Sequence, residues 1–435
     1  LITIAGKTAR LSVFAAAGLE ATATRMAIKQ RPTDFIVDEG LHADYLAGVA
    51  PRPGPYALYR LHKLGLTTHE AIAAMARWLH CAESDIAAAG LKDKQASTSQ
   101  HVTLRTESLH RPAPEQIEGR SFAAERIGFV AQAITSAAIR SNRFTIVART
   151  LTRRAIDELR QAAARLSIHG QSRARGERLI VTNYYGNQRF GSARAGQGFI
   201  AAHLIRGEFE KALRIAIAVP HRKDMLRMKN FKQIVADHWE SRDWRSALQD
   251  LPRVPERAAI EHLARKPTDF RGAFAALPYF FQQLTVEAYQ SLLWNRIAST
   301  FLIDRFGDSG KLWIVDDQFG QLVFPEAPAI PPDLRDLDLP VLGRRTQTVD
   351  PWKNAAERTL AEEDLENAEM LHIRGLDRPW FAEVPRKLFM TVDDFEVGEP
   401  QVDEDQPKAR RFKVTAKFTL PRGGYATVVL RALGQ

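Results

Sequence analysis

Apolar residues recur along TTHEAIAAMARWL at Ile72, Met75, Ala76 and Leu79, the i, i+3, i+4, i+7 spacing of one helix face. Thr67 with Glu70 three residues on forms a capping box, which fixes where that helix starts. RRAIDELRQAAARL carries the same period through Ile156, Leu159, Ala163 and Leu166, with a basic opposite face. FFQQLTVEAYQSLLWN repeats it through Phe281, Leu284, Ala288 and Leu292. Elsewhere the period drops to two. HVTLR from His101 and RFTIVART from Arg143 alternate as strands, and MAIKQRPTDFIVDEGL from Met26 reads as strand, turn at Arg31-Pro32-Thr33, and strand from Phe35.

From about Asn183 to Val384 helical signals dominate, broken by the strand-like KLWIVDDQFGQLVF and a proline-rich loop from Pro325 to Pro340. KLFMTVDDFEV and RFKVTAKFTLPRGGYATVVLRAL then restore the strand pattern, as two or three strands with Gly423 and Gly424 at the last turn. Strands and helices, a helical middle and closing strands fit an α+β fold in which an insertion splits a domain and the C-terminal strands complete the N-terminal sheet.

Composition narrows the class of partner. The chain has 435 residues, 45% apolar and 26% charged, enough for a sizeable core and for two domains of ordinary size. Its 61 Lys and Arg against 51 Asp and Glu leave a net +10, which favours a nucleic acid or an anionic membrane surface over a small cationic substrate as partner. The single cysteine, Cys81, excludes an internal disulfide and a thiolate metal cluster, and the histidines lack paired spacing. No run is long and apolar enough to span a membrane and no signal order opens the chain, so a cytoplasmic protein with no membrane partner, metal or cofactor is expected.

Two stretches carry candidate chemistry. AAAGLKDKQASTSQ, Ala87 to Gln100, lies on an expected helix-to-strand connection and sets Asp93 between Lys92 and Lys94. As a solvated turn it is inert; as a reactive site, flanking ammonium groups favour the ionised carboxylate that a nucleophile or base needs. NYYGNQRFG interleaves Tyr184, Tyr185 and Phe190 with Asn183, Gln188, Arg189 and two glycines. That mixture suits stacking on bases and binding of phosphates, and equally a glycine turn whose aromatics anchor a junction. Basic residues surround it at Arg153, Arg154, Arg173, Arg175, Arg178 and along HRKDMLRMKNFK, a candidate phosphate-tracking surface. By period alone Asn142 and Phe144, in SNRFTIVART, are a turn residue and a core aromatic, and Lys29 is a surface lysine.

IKQRPTDFIVDE, AGLKDKQASTSQ, SNRFTIVART, NYYGNQRFG and LPRGGYATVVLR, in this order over nearly the whole chain, together resemble the TruD family of pseudouridine synthases. The resemblance implies that Asp93 is the catalytic aspartate, that Phe144 stacks on the target uracil, and that Lys29 and Asn142 lie close to that aspartate. It implies an α+β pseudouridine synthase domain with a mixed, mainly antiparallel sheet, split by a mainly helical insertion. Residues 1–178 and 386–435 would form the catalytic domain and 179–385 the insertion. It also implies a monomer acting on tRNA, at uridine 13. Thr182 and Ser141 stand where the family often has proline and glycine, which touches local loop geometry rather than reacting groups. Attack at C1′, addition at C6 and proton abstraction at C2′ are all open to a carboxylate. A non-catalytic RNA-binding protein or chaperone on the same scaffold is the alternative, and an aspartate-dependent nucleoside or glycoside hydrolase would need a second carboxylate that these motifs do not supply.

Overall fold

The computed structural model describes residues 26–168, 176–193, 197–221, 224–406 and 410–434. Arg173, Arg175, Arg222 and Lys223 of the expected basic surface lie outside them. Thirteen strands are described: β1 (Phe35–Leu41), β2 (Tyr56–Leu64), β3 (Ile86–Ala88), β4 (Ser97–Arg105), β5 (Gln116–Gly119), β6 (Phe122–Val130), β7 (Ile139–Leu151), β8 (Glu177–Thr182), β9 (Leu312–Asp317), β10 (Gly320–Pro325), β11 (Phe389–Val397), β12 (Gln401–Val402) and β13 (Phe412–Pro421). Eleven of them build one sheet with the path β5-β6-β2-β4-β1-β7-β13-β11-β8, to which β3 and β12 attach at the sides. The β1–β4 pair is parallel, and all other pairings among the described strands are antiparallel.

Helix Thr68–Leu79 starts where the capping box predicts, with Glu70 N–H donating to Thr67 Oγ1 at 3.1 Å and Thr67 N–H to Glu70 Oε2 at 2.7 Å. Its apolar face closes one core with the inward residues of β2, β4 and β6. Helix Arg153–Leu166 packs into a second, larger core that runs through the central strands into the helices that follow. Between β8 and β11 come mostly helices, the longest being Tyr279–Phe306, with the β9–β10 hairpin among them. No helix among the described residues is long and apolar enough to cross a membrane.

Three local expectations change. The opening segment makes only an isolated bridge, Ala27 to Arg149, rather than a full strand. Asp93 sits on a connection between strands β3 and β4, because Ile86–Ala88 pairs with β4 instead of prolonging the preceding helix. The terminal ATVVLRA is a helix, Ala426–Ala432, despite its adjacent valines. Ala426, Val428, Val429, Leu430 and Ala432 are all buried in the larger core there, and packing overrides the preference of a β-branched pair for strand.

Arg149 ties the opening segment to the sheet. It is almost wholly buried and donates through Nη2 and Nε to Asp34 at 2.9 and 3.0 Å, and through Nη1 to Asp403 Oδ1 at 3.0 Å. Its main chain exchanges hydrogen bonds with Ala27, and Asp34 also caps the Arg31 amide. Burial alone would raise the Asp403 carboxyl, but the Thr150 and Asp405 amides and Arg149 hold it below its ordinary value. The stability it contributes is therefore full at neutral pH and fades as the pH falls below the ordinary aspartate range. Arg149→Met leaves two buried carboxylates uncompensated, and chemical denaturation at pH 7 is expected to show a loss of about 3–5 kcal/mol; a loss below about 1 kcal/mol would mean the cluster is not a stabilising clasp.

Candidate active site

Four lysines meet at the loop between β3 and β4: Lys29, Lys92 and Lys94 each pair with a different carboxylate, and Lys63 with main-chain carbonyls. Asp93 pairs with none of its sequence neighbours. Its Oδ2 accepts from Lys29 Nζ at 2.5 Å and from Gln188 Nε2 at 2.8 Å. Oδ1 has no partner among the described residues. The Asp93 side chain is 37% exposed against 15% for Lys29, so the carboxylate is more exposed than the cation that holds it. Lys29 reaches it from a left-handed backbone position, φ 60°, uncommon for a residue with a Cβ, and its ammonium lies 4.0 Å from the centre of the Phe35 ring.

Lys92 turns inward. It lies 2.7 Å from Glu39 Oε2 as an ion pair and donates to Asn142 Oδ1 at 2.6 Å. Burial alone would raise the Glu39 carboxyl, but bonds from His101, whose amide donates to Oε1 at 2.9 Å, and the charge of Lys92 hold it below its ordinary range. Cross-strand register explains the grouping: Glu39 of β1 stands directly opposite Asn142 of β7. Asn142 thus connects to the aspartate loop through Lys92 and makes no contact of its own with the Asp93 carboxylate. Lys94 points outward to Glu70 Oε1 at 2.7 Å, and that bond draws the Glu70 carboxyl down to about 2. Lys92 has 8% side-chain exposure, and its ammonium is taken up by Glu39 and Asn142.

Phe144 lies two residues beyond Asn142 on the same face of β7, stacked on Phe418 at 5.5 Å and edge-on to Phe35 at 6.0 Å. It is 8% exposed. The ring therefore forms part of the wall beneath the Lys29–Asp93 pair, in contact with Phe35, the ring that Lys29 covers.

NYYGNQRFG divides between anchoring and the site. Tyr184 is fully buried, its hydroxyl bonded to Ser299 Oγ at 2.9 Å and receiving the Val323 amide at 2.9 Å, and burial drives its phenol well above its ordinary range. Phe190 is buried against Phe199 and Phe319. Both rings are enclosed by packing, the arrangement of an anchored turn. The amide of Asn295 brackets Tyr185, accepting from its N–H at 2.9 Å and donating to its carbonyl at 3.0 Å. Arg189 pairs with Glu287 at 2.8 Å. Asn183 accepts Arg386 through its carbonyl, at 2.6 Å from Nη2, and through Oδ1 at 2.8 Å. Gly186 passes so close to Tyr425 that a Cβ would stand 2.9 Å from its ring, which holds the turn in place. These fixings carry the short turn Asn187–Phe190 to the β3–β4 loop, where Gln188 reaches Asp93. Among the described basic residues around it, Arg154 pairs with Glu158 and Arg178 with Asp393, while Arg153 lies over the Phe412 ring.

Sequence patterns missed three contributors. Glu39 and Lys63 occupy inward slots of β1 and β2, where the alternation calls for apolar residues, and that mismatch was the signal. Arg386 lies 3.9 Å from the centre of the Tyr185 ring and burial pushes its guanidinium down; nothing in VPRK marked it.

Residues 17–309 match the family model described as tRNA pseudouridine synthase D (TruD). The chain belongs to the TruD family. It is 26% identical over 415 residues to a Methanococcus maripaludis protein assigned as tRNA pseudouridine synthase D 1, spanning 93% of this chain and 98% of that one. It is 27% identical over 416 residues to the tRNA pseudouridine synthase D of Aquifex aeolicus, spanning 93% and 97%. A crystal structure from Methanosarcina mazei, itself assigned to TruD, superposes with a TM-score of 0.64 at 22% identity, covering 95% of this chain and 94% of that one. The fold is thus that of TruD, and the chain is a pseudouridine synthase of the TruD type.

Tyr184→Phe keeps the ring and removes the hydroxyl that the Val323 amide and Ser299 depend on. Denaturation is expected to show a loss of about 1–3 kcal/mol, with RNA affinity unchanged; weaker RNA binding at full stability would return Tyr184 to a binding role.

Proposed function

We propose that this enzyme isomerises uridine to pseudouridine in tRNA, at uridine 13, with Asp93 as the catalytic carboxylate. The observation that carries the reading is the asymmetry of Asp93: Lys29 and Gln188 both hold Oδ2, while Oδ1 has no partner among the described residues and the side chain is 37% exposed. A carboxylate held at one oxygen keeps the other oriented for reaction, and two fixed donors reduce the reorganisation that reaction requires. The isomerisation breaks N1–C1′, joins C5 to C1′, and exchanges the C5 proton for one on N1. Each route open to a carboxylate starts from such an oxygen.

In this reading Lys29 holds Oδ2 of Asp93 in place while the glycosidic bond breaks, and Phe144 lines the place where a flipped uracil lies. Extruding a nucleotide from a folded RNA costs a few kcal/mol, which stacking and phosphate contacts offset. Support for tRNA as substrate comes from the names of the relatives, and for uridine 13 from family resemblance. The division of the chain follows the same proposal. Residues 1–178 and 386–435 carry most of the sheet, and 179–385 form the insertion, with β8 straddling the first boundary because Leu179 to Thr182 pair with β11.

Asp93→Asn is expected to keep the fold and tRNA affinity and to lose tritium release from uridine-5-tritiated tRNA transcript. Release at the parental rate would sink the assignment, and free uracil instead of pseudouridine would point to a hydrolase. Phe144→Leu keeps an apolar core residue without the flat face. It is expected to lower turnover by about 10- to 100-fold, and parental kinetics would confine Phe144 to packing.

A further inference from the structure

Lys63 is buried to 2% exposure, yet none of the carboxylates described at the site forms a salt bridge with it. Its Nζ donates to three main-chain carbonyls: Leu66 at 2.7 Å, Asp93 at 2.9 Å and Lys92, more weakly, at 3.4 Å. An ammonium has three protons, so these acceptors use its capacity in full. Two of them belong to Asp93, the proposed catalytic carboxylate, and to Lys92 just before it. The third precedes Thr67, the cap of the helix whose first residue, Thr68, accepts the Lys92 amide at 2.9 Å. Lys63 therefore links the loop's carbonyls to the helix start, while Thr68 secures the loop from its N–H side.

We propose that Lys63 is a positioning residue for the reaction, clamping the main chain of Lys92 and Asp93 so that the Asp93 side chain meets Lys29 and Gln188 with Oδ1 facing outward. The inference rests on Asp93 being the catalytic carboxylate. Lys63 touches no reacting atom and acts through the loop. Only the protonated amine can supply three donors, and the surroundings set how tightly that proton is held. Burial draws the Lys63 ammonium down to about 8; Asp93 and Glu70 oppose this, and Lys92 adds to it. The cross-strand neighbours, Thr98 of β4 and Phe122 of β6, carry no charge. The clamp is present below pH 8 and is lost as the pH rises through that value.

The test compares Lys63→Met and Lys63→Arg with the parent and with Asp93→Asn, using tritium release from tRNA, tRNA affinity, thermal melting and amide hydrogen exchange over residues 91–95. Lys63→Met removes a buried cation as well as its bonds, so its melting temperature is expected to stay within about 5 °C of the parent. Its kcat is expected to fall about 100-fold, with tRNA affinity unchanged and faster exchange across Lys92–Lys94. Lys63→Arg keeps the charge and donors; it is expected to recover part of kcat and to lose the parental decline in kcat above pH 8. Parental kcat and exchange in Lys63→Met overturn the proposal, as does a decline above pH 8 that persists in Lys63→Arg. If Lys63→Met fails to fold, the pH profile of Lys63→Arg decides. The two readings separate cleanly: turnover by Asp93→Asn removes the catalytic assignment, whereas loop exchange in Lys63→Met reports on the clamp whatever Asp93 does.

Discussion

The site depends on keeping positive charges apart in a small, partly buried volume. Lys29, Lys63, Lys92 and Lys94 converge on one short loop, and unpaired cations there would repel one another and resist burial. Each is given a separate acceptor: Lys29 the Asp93 carboxylate, Lys92 the buried Glu39, Lys94 the exposed Glu70, and Lys63 a set of carbonyls. Because Glu39 and Glu70 take Lys92 and Lys94, Asp93 answers to Lys29 and to a neutral amide from a distant turn. The acid is spared the close embrace that its sequence neighbours suggest.

That allocation explains what could be read from the chain and what could not. Periodicity placed the helix Thr68–Leu79, the helix Arg153–Leu166 and strand β7 because each buries one regular face. The order of elements around the insertion was legible for the same reason. Asp93 stood out through motif resemblance, since its charge pattern alone fits an inert turn. The pairing of Lys29 with Asp93 spans 64 residues and that of Gln188 with Asp93 spans 95. Local pattern contains no information about which distant lysine arrives. Lys92 was expected to favour the ionised Asp93 and Asn142 to lie close to it; instead Lys92 pairs with Glu39 and donates to Asn142, which faces Glu39 across β1 and β7.

The aromatic motif shows how one short segment can serve two ends. Tyr184 and Phe190 face inward and fix the segment in the helical part, while Gln188, between them in sequence, faces the aspartate loop. A rigid anchor on either side lets a single amide be placed accurately without a long lever. Residue types alone could not separate these roles, because a buried tyrosine and a stacking tyrosine look the same in a sequence.

Strands β8 and β11 are hydrogen-bonded neighbours, with Thr182 opposite Phe389. Seen from the sheet, all the chain between them is a single hairpin loop that happens to contain a folded helical body. Closing a loop grows more costly only with the logarithm of its length, so an excursion of this size burdens stability little. The burden falls on time, because a pairing between strands so far apart in sequence is slow to form. The aspartate loop takes other contacts from Lys29 and from the start of helix Thr68–Leu79, whereas Gln188 comes from a turn anchored to Asn295 and Glu287 of the long helix, so the full hold on the aspartate depends on the helical body being folded.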